Sequence, residues 1–271
     1  MEINMFSVLM SIYKNDKPAW LKESIDSILN QTLKADEILI VKDGPLTGDL
    51  EKILNSYNDS TIRYLDFPKN RGQEICLKEG LIECKHDLVA RMDADDISHP
   101  DRFRLQVEAF KNNPTVDLVG ASIIEFDETI ADAKTIRKLP YGGEELLRYA
   151  KRRSPTNHAA AMYKKSSVIK SGNYQNFLWN EDYHLWARML LNGCVFINLP
   201  DILLYVRGGK SMYQRRGGWT YFKQDLKLQI RFYKLGFLGL FDTIINLALR
   251  LPIRLLPNGF RRWIYETFLR K

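Results

Sequence analysis

Short apolar runs and amphipathic stretches alternate along the first hundred residues. Residues 6–13 and 37–41 are apolar and short, as buried strands are, and the segment between them spaces its apolar residues as one face of a helix: Leu21, Ile25, Ile28 and Leu29. The pattern then predicts a strand over residues 62–65, a helix over 73–84 and a strand over 87–92. Such alternation predicts an α/β fold, in which helices flank a mainly parallel sheet.

Polar side chains stand where three of the predicted strands end. Tyr13, Asp43 and Asp93 occupy these positions. Because ligands of parallel sheets collect outside the carboxyl ends of the strands, we expect these residues to border one crevice.

The fourth strand ends in three carboxylates within four residues, Asp93, Asp95 and Asp96. Hard cations such as Mg²⁺ or Mn²⁺ prefer oxygen ligands and would neutralise this crowding, which favours a metal and nucleotide site. The alternative is an acidic turn in which Asp96 or Ser98 caps the helix predicted from Pro100 onward. The pattern alone does not choose between them.

The second half of the chain is less regular. It predicts a helix over residues 102–111, a strand over 116–126, and either a strand or an irregular excursion over 129–141. A further helix follows Asn180 as its cap and ends before Gly193. On that helix Asp182 shares a stripe with Leu185, Trp186 and Met189, whereas Glu181 shares one with His184 and Arg188. A carboxylate that points inward with apolar residues suggests a buried hydrogen bond, a helix-dipole interaction or catalysis.

Length and composition bound the fold class. A chain of 271 residues that is 45% hydrophobic can form one large α/β domain with an appendage. Three widely spaced cysteines argue against a disulfide framework or a zinc site. We expect a reducing cytoplasm, since the first residues also lack the pattern of a secretory signal.

The net charge of +7 is unevenly distributed. Residues 207–271 contain 14 Lys and Arg against 3 Asp and Glu, whereas residues 1–206 contain 26 against 30. An acidic body with a basic C-terminal segment predicts a separate anionic partner for that segment.

Several segments in their order resemble glycosyltransferase family 2, whose members adopt the GT-A fold. The resemblance runs from about residue 6 to about 207, and its marks are SVLMSIY at 7–13, VKDG at 41–44, NRG at 70–72, RMDADD at 91–96 followed by PDRF at 100–103, and EDYHLW at 181–186. Each motif alone is weak, but the order and spacing together are specific. The resemblance predicts a GT-A domain over residues 1–215, with a nucleotide-binding half to about residue 100 and an acceptor half beyond, and a helical extension over 216–271.

The resemblance also implies roles for individual residues. Asp43 would read the uracil edge of a UDP-sugar, Asp93 would lie near the ribose and the metal, and Asp95 would ligate Mn²⁺ or Mg²⁺ at the diphosphate. Asp43 could instead be a turn residue before Gly44. The expected donor site includes Ser11, Tyr13, Asp43, Arg71, Asp93, Ala94, Asp95 and Arg207. Asp182 would be the general base, with Glu181 orienting the acceptor or its loop, although an exposed first-turn acid is an alternative for Glu181.

Two positions depart from the family pattern. Many relatives carry a metal-binding histidine shortly after the strand that here ends at Arg207, but this chain continues with Gly208, Gly209 and Lys210. Metal binding would then rest on Asp95 and the diphosphate, or cations would close over the phosphates: Arg207, Lys210, Arg215 or Arg216. His158, in a segment resembling the acceptor loop, is more often structural than catalytic when it stands alone.

The resemblance implies inverting transfer of a sugar from a UDP-sugar to a hydroxyl of a glycan or lipid-linked acceptor, in bacterial surface polysaccharide synthesis. A sugar nucleotidyltransferase is disfavoured because residues 10–16 contain no glycine for a phosphate loop. A non-catalytic member of the fold is disfavoured by Asp43, Asp93, Asp95 and Asp182. Nucleic-acid binding by the tail is disfavoured by its interleaved apolar residues.

The tail, residues 219–271, is predicted to lie on a membrane surface. Phe222, Leu226, Ile230 and Tyr233 recur at helical spacing with basic residues on other faces, and 258–264 begins another amphipathic stretch. The apolar run at 235–249 is shorter than the roughly 20 residues that span a bilayer. We therefore expect a cytoplasmic protein, peripheral on the inner face of the plasma membrane. Packing of these helices on the catalytic domain, or in a homodimer, is the alternative.

Overall fold

One curled sheet with helices on both faces forms the body of the chain. The computed structural model describes residues 5–133, 135–177, 179–208 and 218–255, the last five of these as helix alone. The strands within this part are β1 (Phe6–Ile12), β2 (Glu37–Lys42), β3 (Ile62–Asp66), β4 (Leu88–Asp93), β5 (Ile97–Ser98), β6 (Val116–Phe126), β7 (Thr135–Arg137), β8 (Met162–Lys164) and β9 (Val195–Arg207).

The helices of the described residues cover the sheet and extend beyond it. They are α1 (Pro18–Leu29), α2 (Gly48–Asn55), α3 (Gln73–Glu83), α4 (Arg102–Asn112), α5 (Gly143–Ala150), α6 (Lys165–Lys170), α7 (Glu181–Leu191), α8 (Trp219–Lys234) and α9 (Leu240–Leu255). Short 3₁₀ turns lie at Ile130–Asp132 and His158–Ala160.

The strand order β3-β2-β1-β4-β8-β6-β9-β5 divides the sheet into two halves, and β7 pairs with β6. From β3 to β4 every neighbouring pair is parallel. Beyond β4 the sheet is mixed, because β8 runs antiparallel to both β4 and β6 while β6 and β9 are parallel. The predicted α/β fold with a mainly parallel sheet is confirmed, and its antiparallel pairings are short ones in the second half.

Two apolar layers follow from the alternation of side chains along the central strands. Val8, Met10, Ile40 and Met92 face α1, α2 and α4, whereas Leu9, Val41 and Val89 face α3 and α7. Both sets of strand residues are fully buried, which explains why these strands appear as continuous apolar runs in the sequence.

The C-terminal helices dock on the α/β body through a third apolar cluster. Leu228 and Phe232 of α8 pack against Tyr183 and Ala187 of α7, and Phe232 meets Tyr183 edge-on at 4.8 Å between ring centroids. The predicted alternative, packing on the domain, is therefore confirmed for this face of α8. The boundary at residue 215 and the stretch 258–264 lie outside the described residues.

The opposite surface of the helical pair is apolar and exposed. Phe241 is 76% exposed and Leu240 62%, and Ile244, Leu249, Ile230 and Tyr233 also project outward. The inner side combines the apolar cluster with buried polar residues: Asp225, Gln229, Thr243 and Asn246. None of the helices that the structure describes has the length and apolar composition needed to cross a bilayer.

Candidate active site

The turn after β4 brings the three predicted carboxylates together at the carboxyl edge of the sheet. Asp93 and Asp95 are half-buried and Asp96 is buried. Burial, followed by the charge of Asp93, raises the pKa of Asp95 to about 6, and the same two causes raise that of Asp96 well above its usual value. The pKa shifts indicate crowded negative charge that a bound cation would relieve.

Asp96 binds the backbone at the end of β9. Its Oδ1 accepts a 3.0 Å hydrogen bond from the backbone N–H of Arg207, at the end of β9. The expected alternative role, capping the next helix, is not seen, because α4 begins at Arg102 and the residue at its N-cap position is Asp101. The acidic turn is thus tied to β9 rather than to α4.

Asp16 is a fourth carboxylate near this turn, and sequence reasoning missed it. It follows β1 and accepts a 2.8 Å hydrogen bond from the backbone N–H of Tyr13. Burial raises its pKa to about 7, opposed by that hydrogen bond and increased by the charges of Asp95 and Asp93. Its position after the first strand was the available signal, because that strand ends at the same edge of the sheet as β4.

Asp43 joins two loops at the end of β2. Its Oδ1 accepts a 2.6 Å bond from the backbone N–H of Arg71, and its Oδ2 accepts from Asn70 Nδ2 at 2.8 Å and from the Gly72 N–H at 3.0 Å. Burial, then the charge of Asp43 and a hydrogen bond to it, raise the pKa of the Cys76 thiol, so this thiol also lies against the carboxylate. Asp43 is thus a loop organiser in this structure, and its expected contact with a uracil edge remains a proposal.

Gly44 permits the close approach of these two loops. Its φ is +84°, a left-handed conformation that favours glycine. A Cβ here would lie 2.6 Å from the backbone nitrogen of Asn70. Any larger residue would therefore push the Asn70–Gly72 loop away from Asp43.

Arg207 is buried beside the acidic turn, with its guanidinium already engaged. It pairs with Glu23, donates to the carbonyls of Asp95 (3.1 Å) and Glu128 (3.2 Å), and stacks over Trp20 and Phe126. Its charge lowers the pKa of Asp95. Lys210, Arg215 and Arg216, the other candidate cations, lie outside the described residues.

The remaining expected donor residues differ in what they offer. Ser11 is half-buried and lies beside Asp93 in register, and Tyr13 is exposed at the crevice edge. Ala94 is buried with its side chain in the core, so it can offer only backbone atoms. The Arg71 guanidinium pairs with Glu79 at 2.6 Å.

Helix α7 presents Glu181 and Asp182 in its first turn. Asn180 occupies the N-cap position, but its side chain makes no capping hydrogen bond. Burial and the adjacent charge of Asp182 raise the pKa of Glu181 to about 8, and Arg91 opposes the shift. This environment contradicts the alternative of an exposed first-turn acid. Asp182, also half-buried, acts electrostatically on Tyr174.

Two other buried groups lie beneath these carboxylates. His158 Nε2 is 2.9 Å from the Tyr174 hydroxyl, and its ring meets Trp186 edge-on. Burial lowers the pKa of His158 well below its usual value, which fits a neutral structural histidine. Arg91, also missed from the sequence, is fully buried and lies 2.6 Å from Asp93.

The donor set fits a hard divalent cation that shares its shell with a substrate. Asp93 and Asp95 supply carboxylate oxygens, yet the described residues contain no group of three or more side chains arranged to hold a metal. Mg²⁺ and Mn²⁺ are commonly bound by one or two carboxylates together with water and substrate phosphates. Asp95, whose pKa is raised by burial and by the charge of Asp93, and Asp93 itself match that arrangement.

Comparison with known proteins decides the family. The family model described as "Glycosyl transferase family 2" matches residues 7–172, more than half of the chain. The chain belongs to this family. The family resemblance inferred from the motifs is therefore confirmed.

Similar proteins extend this finding over nearly the whole chain. An Escherichia coli protein named UDP-Gal:alpha-D-GlcNAc-diphosphoundecaprenol beta-1,3-galactosyltransferase is 38% identical, covering 98% of this chain and 97% of its own. The amylovoran biosynthesis glycosyltransferase AmsE of Erwinia amylovora is 37% identical over 97% of this chain and 98% of its own. This family 2 chain is thus similar to glycosyltransferases of bacterial polysaccharide synthesis along its full length.

A solved structure supports the fold. The mannosyltransferase PcManGT from Pyrobaculum calidifontis, in complex with GDP-Man and Mn²⁺, superposes with a TM-score of 0.66 at 16% identity, covering 97% of this chain and 75% of that one. The GT-A fold expected from the motifs is confirmed.

Proposed function

We propose that this family 2 glycosyltransferase transfers a sugar, with inversion, from a UDP-sugar to a hydroxyl of a lipid-linked glycan in bacterial surface polysaccharide synthesis. The observation that carries the proposal is the arrangement of carboxylates around one crevice: Asp43, Asp93 and Asp95 follow parallel strands, and α7 begins with Glu181 and Asp182. Inverting transfer needs separate groups for the departing nucleotide and the attacking hydroxyl.

The donor would lie along the strand ends. The Asp43 carboxylate would suit the N–H of a uracil edge, and Ser11, Tyr13 and the backbone of Ala94 would border the space toward Asp93. Arg71 donates its backbone N–H to Asp43, so it would act by shaping the base pocket. Arg207 would support the diphosphate site by holding the backbone of Asp95 from behind.

Asp93 and Asp95 would hold Mn²⁺ or Mg²⁺. A bound divalent ion would neutralise charge that develops on the departing diphosphate. The raised pKa of Asp95, caused by burial and then by Asp93, supports this assignment, because a cation would favour the ionised carboxylate.

Asp182 would remove the proton of the acceptor hydroxyl. Glu181 has a pKa raised to about 8 by burial and by Asp182, so near neutral pH the pair would keep one proton on Glu181. Asp182 would then be the anionic base, and Glu181 would orient the acceptor. Two neighbouring carboxyls in different protonation states suit a single displacement, in which no covalent intermediate on the protein forms.

The acceptor would reach the crevice from a membrane surface. A relative acts on a diphosphoundecaprenol-linked sugar, as its name states. The helices α8 and α9 combine an exposed apolar face with four exposed basic residues of α8: Lys223, Lys227, Arg231 and Lys234. Apolar surface next to positive charge suits an anionic bilayer. The protein would be peripheral on the inner face of the plasma membrane, and a homodimer through the same face is the competing outcome.

One assay tests the activity. Purified protein is incubated with Mn²⁺ and a panel of UDP-sugars, with an undecaprenyl-diphosphate-linked GlcNAc as acceptor, and the product linkage is read by NMR. A β-linked product from one UDP-sugar is expected. Formation of a nucleotide-sugar from a sugar phosphate and UTP would instead support a nucleotidyltransferase, and UDP-sugar binding without turnover would support a non-catalytic member.

A further inference from the structure

Arg91 is a buried cation beneath the catalytic crevice. It lies on β4 two residues before Asp93, so both side chains point to the face of the sheet that α3 and α7 cover. Its side chain is completely buried, and its Nη1 lies 2.6 Å from Asp93 Oδ1. A charge in this position requires compensation, since burying an unpaired ion costs several kcal/mol.

The contact with Asp93 does not satisfy the guanidinium. Among the described residues, no hydrogen-bond partner of good geometry meets Nε, Nη1 or Nη2. The Asp93 contact is short but poorly aligned, so it is an ionic contact. The rest of the compensation must therefore come from charges farther away.

Those charges lie on both sides of the crevice. On the donor side Asp93 lies against Arg91, and on the acceptor side the charge of Arg91 lowers the pKa of Glu181. It also disfavours protonation of His158. Arg91 is thus a cation shared by two carboxylate groups that the proposed reaction assigns to different substrates.

We propose that Arg91 is a positioning residue that holds Asp93 toward the donor and lies on the sheet face that α7 covers, so that one buried charge supports both halves of the site. The proposal rests on the proposed function for the meaning of the two halves. The groups that face Glu181 are Asp182 on its own helix, Arg91 on β4 and Glu74 on α3. Arg91 is the cation among these three.

Arg102 provides a matched control. It is also a completely buried arginine in contact with β4, because its Nη2 donates to the Arg91 carbonyl at 2.7 Å. Its guanidinium is partnered, however, by Gln106 at 3.1 Å, and it contacts Met92 from the opposite face of the sheet. The charge of Arg102 acts on Asp96 and Asp93 but is not among those that act on Glu181, so Arg102 is a control for the acceptor side.

The test is a carboxyl titration followed by ¹³C NMR on full-length protein labelled at glutamate, with the Glu181 signal assigned through Glu181→Gln. In Arg91→Met the Glu181 midpoint should rise by about one pH unit or more, because the neighbouring cation is lost. In Arg91→Lys, which keeps the charge, and in Arg102→Met it should stay near the wild-type value. An unchanged midpoint in Arg91→Met overturns the acceptor half of the proposal.

UDP affinity, measured by calorimetry with Mn²⁺, tests the donor half. A lysine keeps the charge but loses the fork that reaches Asp93, so Arg91→Lys should bind UDP several-fold more weakly than wild type. If Arg91→Lys binds UDP with wild-type affinity, the proposed positioning of Asp93 is overturned. This measurement does not depend on whether Arg91→Met folds. If the wild-type protein does not bind UDP, the proposed function is rejected instead. The NMR titration still tests the role of Arg91 in that case, because it uses no nucleotide.

Discussion

The carboxylate of Asp43 and the backbone of Arg71 connect two loops of the crevice through a 2.6 Å hydrogen bond. The other Asp43 oxygen accepts from Asn70 and Gly72, so the same side chain shapes the pocket and borders it. A residue with both tasks should influence ligand affinity more than its exposure suggests.

Asp43→Asn should weaken UDP binding by about ten- to a hundredfold, the range of a hydrogen bond to a charged group. Whichever oxygen is replaced, an amide NH₂ then faces an N–H donor of the loop. Calorimetry with UDP measures the effect. Asp49→Asn is the control, because that carboxylate is 74% exposed and pairs only with exposed Lys52. Equal UDP affinity in both variants would reject a nucleotide role for Asp43.

UDP binding should require Mn²⁺ or Mg²⁺ and should be lost in Asp95→Ala. Without a cation, the diphosphate would face the crowded carboxylates of Asp93, Asp95 and Asp96. Calorimetry with and without EDTA measures this requirement. Asp87→Ala removes a carboxylate just before the other end of β4, where it binds Ser166, and should leave metal-dependent binding intact. Metal-independent affinity in wild type would contradict the metal assignment.

Asp182→Asn should retain UDP affinity and lower kcat by about 10² to 10⁴, because it removes the proton acceptor with little change of shape. Glu181→Gln should lower kcat less, since Glu181 is expected to carry a proton near neutral pH. Steady-state kinetics with the natural acceptor compare the two. Near-normal kcat in Asp182→Asn would move the search for the base to Glu181.

The raised pKa of Glu181 also predicts a pH dependence of stability. The folded state holds a proton on Glu181 up to a pKa of about 8, whereas an unfolded glutamate loses it near 4.5. Stability contributed by this group should therefore fall as pH rises from about 4.5 to about 8. Glu181→Gln should raise the Tm at pH 8 more than at pH 5, as thermal unfolding at both values would reveal. An equal shift at both would contradict the raised pKa.

The sequence was sufficient for strands β1 to β4 and β6, for the edge of the sheet and for the order of motifs, because buried strands such as β1 and β4 are continuous apolar runs that end in polar residues. It did not predict the short strands β5 and β8, and it did not single out Arg91 or Asp16. Arg91 looks like an interruption of a strand, and only the packing of α7 and β8 shows that it is fully enclosed. Asp16 looks like a loop residue, and it approaches Asp93 and Asp95 because β1 and β4 are parallel neighbours that end at the same edge.

For the C-terminal helices too, the sequence predicted only part of the arrangement. Helical spacing correctly placed Ile230 and Tyr233 on one exposed stripe, but the docking face of α8 consists of Tyr221, Leu228 and Phe232 together with polar residues. Arg152, which follows α5, joins the α/β body to α9 by donating to Asp242 at 2.7 Å and to Asn246 at 2.8 Å. One helical period cannot tell which side of α8 is buried, because this helix has one apolar stripe that docks, with Leu228 and Phe232, and another that is exposed, with Ile230 and Tyr233.

Replacement of Phe241 and Ile244 by aspartate should abolish binding to vesicles of anionic lipid. Both side chains project from α9, and Phe241 is 76% exposed, so the changes remove apolar surface and add charge without entering the core. Co-sedimentation with vesicles of phosphatidylglycerol and phosphatidylethanolamine measures binding, which should weaken as salt rises. Ile82→Asp is the control, since Ile82 on α3 is 55% exposed and distant in sequence from the helical pair. If the wild-type protein did not bind the vesicles, but sedimentation velocity showed a dimer that the two aspartate substitutions disrupt, the apolar face would be an interface between two copies of the chain.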